Sequence, residues 1–271
     1  MKKWPIALQA FSVRDDLQND LEGTLKQLKE MGYDGIELAG TYGRTVAEVK
    51  KILDRVGLEM VSAHVMMDEF ENDETLLDAY AAAGIKNIAI PGMDMPKTRE
   101  QMDAVSNRIR SHAEKVAAKG ITYMYHNHDW EFAKIDGKYI LDCIFDEVSA
   151  DILQTELDLC WVREGGEDPI EYLNKYAGRA PVVHLKDFTG HMGAMVYGVV
   201  DGKEVCLSPT EEGGDFDYRP VGYGKQDIPA LVEASEKAGA QWLIVEQDEP
   251  SMGKSPMECA RMSINYLRSF L

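Results

Sequence analysis

The 271-residue sequence has little that would cross-link it, anchor it in a bilayer or draw it to a polyanion. Its four cysteines, Cys143, Cys160, Cys206 and Cys259, lie far apart with no Cys-x-x-Cys pair, so no disulfide framework is expected. No apolar run approaches the ~20 residues needed to span a membrane. Pro5 and Gln9 interrupt the only apolar stretch near the N-terminus, which argues against a signal peptide. A cytoplasmic protein fits these absences. Lys and Arg form no run, and 47 acidic against 29 basic residues give a net charge of -18. Such a chain repels nucleic acid, which is bound through a basic face. No Gly-x-Gly-x-x-Gly phrase opens a helix, as a dinucleotide fold requires.

What the chain does have is a recurring phrase: an amphipathic stretch rich in Lys, Glu and Ala, then a glycine, then a short apolar run. It appears as LKEMGYDGIEL, LDRVGLEMVSAH, YAAAGIKNIAI, AEKVAAKGITYMYH and SEKAGAQWLIVE, around Gly32, Gly57, Gly84, Gly120 and Gly239. Each reads as helix, left-handed cap, strand. The apolar runs are continuous rather than alternating, as in strands buried on both faces of a parallel sheet. Eight units follow, with strands near 5–10, 34–39, 58–64, 85–90, 121–126, 153–158, 181–186 and 241–246. Helices fall near 20–31, 45–56, 73–83, 98–119, 138–148, 168–177, 227–238 and 256–270, the last opened by Ser255 and Pro256 as N-cap and first helical residue. Eight alternating units in this length predict an α/β fold, a single-domain (β/α)8 TIM barrel over residues 1–271, rather than an open doubly wound sheet. The one long connection, about 188–224, is expected to be a rim insertion whose VYGVVDGKEVCL forms a hairpin turning at Asp201-Gly202.

In such a barrel the active site lies at the C-terminal ends of the strands. Polar residues that terminate the apolar runs are dense there. They are Glu37, His64, the run Tyr125-His126-Asn127-His128, Glu156 and Asp158, His184 and Lys186, and Glu246 and Asp248. Five of the six histidines, His64, His126, His128, His184 and His191, sit at or after such ends, while His112 falls within the fourth long helix. Imidazoles and carboxylates converging from several strands offer the N and O ligands of a divalent ion. A lone histidine there is more often a hydrogen-bonded framework residue, and Asp158 could simply cap the next turn. Glu246 is harder to place that way, because it follows the apolar WLIV and needs partners inside the mouth.

These phrases also carry a resemblance. From LQAFSVRDDL through SAHV, YHNHDWEF, ELDLCW, VVHLKD and VGYGKQDIP to VEQD, the chain resembles the sugar phosphate isomerase/epimerase group of xylose isomerase-like barrels. That group includes ketose 3-epimerases and inosose dehydratases and, more distantly, metal-dependent AP endonucleases. The resemblance implies one divalent metal ion, Mn, Co, Mg or Zn, held by Glu, Asp, His and Glu from the fifth to eighth strands. Three positions map onto Asp158, His184 and Glu246. On the fifth strand the expected Glu is missing; His126 is assigned in its place, with His128 or Glu131 as alternates.

The expected chemistry is proton transfer through an enediolate of a sugar or keto-sugar, as in an isomerase or epimerase. The alternative is a lyase or dehydratase on a keto-inositol or 3-keto-glycoside, toward which the His-rich fifth strand leans. An endonuclease-like phosphodiesterase and a non-catalytic sugar-binding barrel are less favoured. Glu246 is expected to be the base, with His128 or Glu131 on the other face and Lys186 stabilising negative charge on oxygen. His64, Glu37, Trp130 and Trp161 are expected to touch the substrate. The partner is a small carbohydrate, with no nucleic acid or membrane, and a homo-oligomer is compatible with the sequence.

Overall fold

The computed structural model describes residues 4–192, 196–200, 203–207 and 214–271. Eight parallel strands close into a barrel: β1 Ile6–Gln9, β2 Gly35–Ala39, β3 Glu59–His64, β4 Asn87–Ile90, β5 Thr122–His126, β6 Gln154–Asp158, β7 Val182–Leu185 and β8 Trp242–Val245. Each pairs with its sequence neighbours, and β1 closes the ring on β8 through Ile6↔Leu243 and Leu8↔Val245. The helices around it are α1 Leu21–Met31, α2 Val46–Val56, α3 Leu76–Ala82, α4 Arg99–Ala117, α5 Ile140–Glu147, α6 Pro169–Lys175, α7 Ile228–Ala238 and α8 Pro256–Phe270.

Local sequence explains where these elements start and stop. Thr45 and Glu48 form a reciprocal capping box at the start of α2, and Ser255 and Glu258 do the same for α8, where Pro256 occupies the first turn. Gly57 and Gly239 end α2 and α7 with φ of 82° and 91°, a conformation that costs other residues a clash at Cβ. The sequence reading missed short helices that follow strands at the mouth, Arg14–Asn19, Met67–Asn72 and Leu159–Glu164. At six residues each, they are too short to show a helical period.

Among its described residues, the connection after β7 contains two small antiparallel pairs. Asp187–Thr189 pairs with Asp217–Arg219, and Val196–Val200 pairs with Lys203–Leu207. The expected turn at Asp201-Gly202 lies outside the described residues. Asp187 holds the far end of this connection in place: its carboxylate accepts from the backbone N–H of Phe188, Gly222, Gly224 and Gln226.

Inside the barrel, side chains alternate along each strand, so a two-residue step moves one layer toward the C-terminal mouth. The lower layer is apolar: Ala7, Val61, Ala89, Met124, Val182 and Ile244 pack together. Two residues further on, four of those strands place Gln9, His126, His184 and Glu246. The change from hydrocarbon to polar groups is therefore abrupt, and the groups above the plug are buried. A cavity of about 440 Å³ opens at the opposite end, lined by residues such as Gly120, Thr122, Gln154 and Gln241; it brings together no comparable set of ionisable side chains.

Candidate functional site

The polar layer gathers most of the residues picked out in the sequence. His126, Asp158, His184 and Glu246 can each offer a ligand atom such that all four atoms lie within 4.8 Å of one another. His184 Nδ1 is 2.9 Å from Glu246 Oε2. Asp158 Oδ1 accepts the backbone N–H groups of Cys160 and Trp161, capping the short helix after β6, which leaves Oδ2 without a hydrogen bond. Asp158 therefore caps a helix with one oxygen and faces the mouth with the other.

Lys186 is 1% exposed. Its ammonium lies 3.3 Å from Asp158 Oδ2, 3.2 Å from Glu246 Oε2 and 3.0 Å from Asp248 Oδ1. Burial works against that charge, yet the three carboxylates hold its pKa well above the usual lysine value. Burial likewise opposes ionisation of Glu246, but Lys186 and His184 outweigh it and keep the carboxylate ionised. Burial and the neighbouring imidazoles push His126 well below the usual histidine value, and burial with Lys186 takes His128 down to about 3. Both rings are therefore neutral at physiological pH, the form that binds a metal or accepts a proton.

A second set of groups lies against the first. His64, His126, Glu156 and His184 also converge to within 4.8 Å. Glu37 is completely buried beside them, with Gln9 Nε2 donating to Oε1 at 2.7 Å and Ser62 donating to Oε2. Burial lowers the affinity of His64 for a proton, but Glu37 and Glu156 reverse this and raise its pKa to about 10. Burial together with Glu37 lifts Glu156 to about 8. Glu156 was noted as a strand-end carboxylate but was given no role in the sequence reading; its signal is its position two residues before Asp158, on the same face of β6.

The remaining sequence candidates separate. His128 stacks on Trp130 with centroids 4.1 Å apart, and its Nδ1 makes no hydrogen bond. Trp161 lies 4.8 Å from Lys186 Nζ and stacks on Phe216 at 5.8 Å. Glu131 is turned away. Its carboxylate accepts from Tyr125 Oη at 2.7 Å, the His128 N–H at 2.8 Å and Trp130 Nε1 at 2.8 Å, and so fixes the loop that carries His128. His191 is exposed and belongs to neither ligand set. No feature of the sequence pointed to Phe216 and Tyr218, which come from the far side of the long connection. Tyr218 donates to Asp248 at 2.6 Å, and with Phe216 and Trp161 it makes an aromatic wall beside Lys186.

The donor set suits a divalent ion. Oδ2 of Asp158 is buried without a hydrogen bond, its contact being the Lys186 ammonium, and Nδ1 of His126 and Nε2 of His184 are buried likewise against Glu156 and Glu37, so each keeps a lone pair or proton position that a ligand can take. Nitrogen and carboxylate donors in one pocket fit Zn, Mn or Co and are poorly selective among them.

Comparison with known proteins places the chain. The model of the xylose isomerase-like TIM barrel family matches residues 25–270. The rhizopine catabolism protein MocC of Rhizobium meliloti is 26% identical over 265 residues, covering 89% of this chain and 79% of its own length. An inosose dehydratase of Clostridium botulinum is 22% identical over 278 residues, covering 93% of this chain and 90% of its own. Among solved structures, a sugar phosphate isomerase/epimerase from Parabacteroides distasonis superimposes with a TM-score of 0.81 at 21% identity, over 99% of this chain and 95% of that one.

Proposed function

Because the chain belongs to the xylose isomerase-like TIM barrel family, we propose that it removes the proton next to the carbonyl of a cyclic or open-chain keto-sugar, using a metal held by His126, Asp158, His184 and Glu246. The observation that carries this reading is the convergence of those four buried side chains with Lys186 beside them. A divalent ion in such a set supplies Lewis-acid polarisation of adjacent substrate oxygens. The protein supplies the rest. Glu246 is ionised and lies at the pocket edge, so its carboxylate takes the proton. Lys186 holds a fixed positive charge where negative charge develops on oxygen. Trp161, Phe216 and Tyr218 exclude water and cover the apolar face of the ring.

Two outcomes share that first step. Returning the proton to the other face or to the neighbouring carbon gives an epimerase or isomerase, and loss of a β-hydroxyl or β-alkoxy group, with the proton taken by Glu246 passing to the leaving oxygen, gives a lyase. One observation favours loss of a β-group. The second face carries the neutral His128 rather than a carboxylate, because Glu131 is committed to Tyr125, Trp130 and the backbone. The similarity to an inosose dehydratase over 93% of the chain points the same way. The test is a panel of keto-inositols, 3-keto-glycosides and ketoses in deuterated water, followed by NMR. Uptake of deuterium next to the carbonyl, with or without elimination, is expected for at least one class. No exchange and no turnover of any of them, with divalent metal present, would overturn the proposal.

A further inference from the structure

We propose that the barrel holds a separate divalent-cation seat below the first, formed by Glu37, His64, Glu156 and the inner face of His184, with His126 between the two. It rests on reading the mouth as a metal centre, and it goes further by assigning residues outside that ligand set.

The argument is geometric. His64 Nε2 lies 2.8 Å from Glu156 Oε2 and 3.1 Å from Glu37 Oε1. His184 Nε2 lies 2.9 Å from Glu37 Oε1 and 3.7 Å from Glu156 Oε2, and His126 Nδ1 lies 3.7 Å from the same Glu156 oxygen. Donors about 2.0–2.2 Å from a shared ion sit roughly 2.9–3.4 Å apart, so these separations approximate the edges of a coordination polyhedron. Hydrogen bonding does not account for all of them. His184 Nε2, at 2.9 Å from Glu37, is not aligned for a hydrogen bond, and His126 Nδ1 and Glu156 Oε1 have no partner. All three atoms are buried.

Charge permits the same seat. Glu37 and Glu156 are both 0% exposed, and among the described residues their only cationic neighbours are imidazoles. The one buried ammonium nearby, Lys186, is engaged by Asp158, Glu246 and Asp248. The imidazoles of His64 and His184 are what these two carboxylates pair with, and a divalent ion in the seat would take the place of the protons those rings carry. The surroundings are also those of a metal ligand: Gln9 and Ser62 hold the Glu37 carboxylate in one orientation, as outer-shell groups do. The ring of His184 then presents Nδ1 to the outer set and Nε2 to the inner one.

The two seats are separable by substitution. Chelator-treated protein would be titrated with Co2+ alone, following visible absorption and bound metal after dialysis, in the wild type, Glu156→Gln, His64→Gln and Asp158→Asn. Circular dichroism would check each fold, and Glu37→Gln serves if an inner variant does not fold. The expected result is that Glu156→Gln and His64→Gln lose one class of bound Co2+ that Asp158→Asn retains. Inner variants that bind Co2+ with wild-type stoichiometry and affinity would overturn the proposal, as would loss of all bound Co2+ in Asp158→Asn. A single equivalent lost only in Asp158→Asn would defeat the inner seat and leave the proposed function standing. A single equivalent lost only in the inner variants would support the inner seat and defeat the outer ligand assignment. A wild type that binds no Co2+ would end both.

Discussion

His184 Nδ1 faces Glu246 Oε2 at 2.9 Å, while its other ring nitrogen faces Glu37. The ring spans from β7 toward β8 on one side and β2 on the other, and so sits at the centre of the polar layer. Replacing it removes a donor from both ligand sets without touching the apolar plug. His184→Ala and Asp158→Asn should therefore each lower bound metal sharply while the barrel stays folded. Elemental analysis alongside circular dichroism checks this; unchanged metal content would mark both residues as framework.

Glu246 is assigned two tasks, and one substitution separates them. Glu246→Gln keeps an oxygen for a metal but removes the basic carboxylate. Activity should fall by ~10²–10⁴-fold, the usual contribution of a general base, while metal affinity falls far less. Exchange of the substrate's α-proton with deuterated water should vanish with it. Exchange at the wild-type rate would pass the role of base to His128.

Lys186 neutralises Asp158, Glu246 and Asp248 within a buried network. Lys186→Met leaves those carboxylates without their fixed cation. Removing one partner of a buried ion pair costs about 3–5 kcal/mol, so the metal-free protein should lose stability on that scale. Denaturant unfolding in the presence of a chelator reads the effect directly. A loss under about 1 kcal/mol, the range of an exposed ion pair, would show that the ammonium is not needed to balance the cluster.

Glu131 gives a pH dependence whose sign is fixed. Burial raises its pKa to about 7, against about 4.5 for an exposed glutamate. The folded protein therefore holds this proton more tightly than the unfolded chain does. The stabilisation is fully present below about pH 4.5 and is lost as the pH rises through about 7. The full span is on the order of 3 kcal/mol. In Glu131→Gln the titration is absent, so the stability of the wild type relative to this variant should decrease from pH 4.5 to pH 8. Parallel stability curves for the two proteins would refute it.

Much of this could be read from the sequence. Each amphipathic stretch ends at a glycine because a helix stops where a left-handed residue satisfies its last carbonyls, and this information is local. The strands followed as apolar runs after those glycines, and their place at the ends of those runs marked Asp158, His184 and Glu246 as mouth residues. His126 was reachable in the same way, two residues beyond the buried Met124.

The sequence could not decide how the strands stand against one another. Alternation tells which side of a strand a residue faces, but the stagger between neighbouring strands sets its height in the barrel. His126 pairs with Glu156 and Asp158 with His184, and this stagger sets Glu156 beside one histidine and Asp158 beside the other. Glu37, expected to touch substrate, is instead enclosed by Gln9, Ser62, His64 and His184. Glu131 was expected at the reacting centre, and only the turn Trp130–Phe132 directs its carboxylate to Tyr125. Phe216 and Tyr218 reach the pocket because Asp217–Arg219 pairs back onto Asp187–Thr189, a contact about 30 residues apart that leaves no periodic trace. Local chemistry thus determined the fold and the type of site, while long-range register decided which carboxylates and imidazoles share an enclosed space.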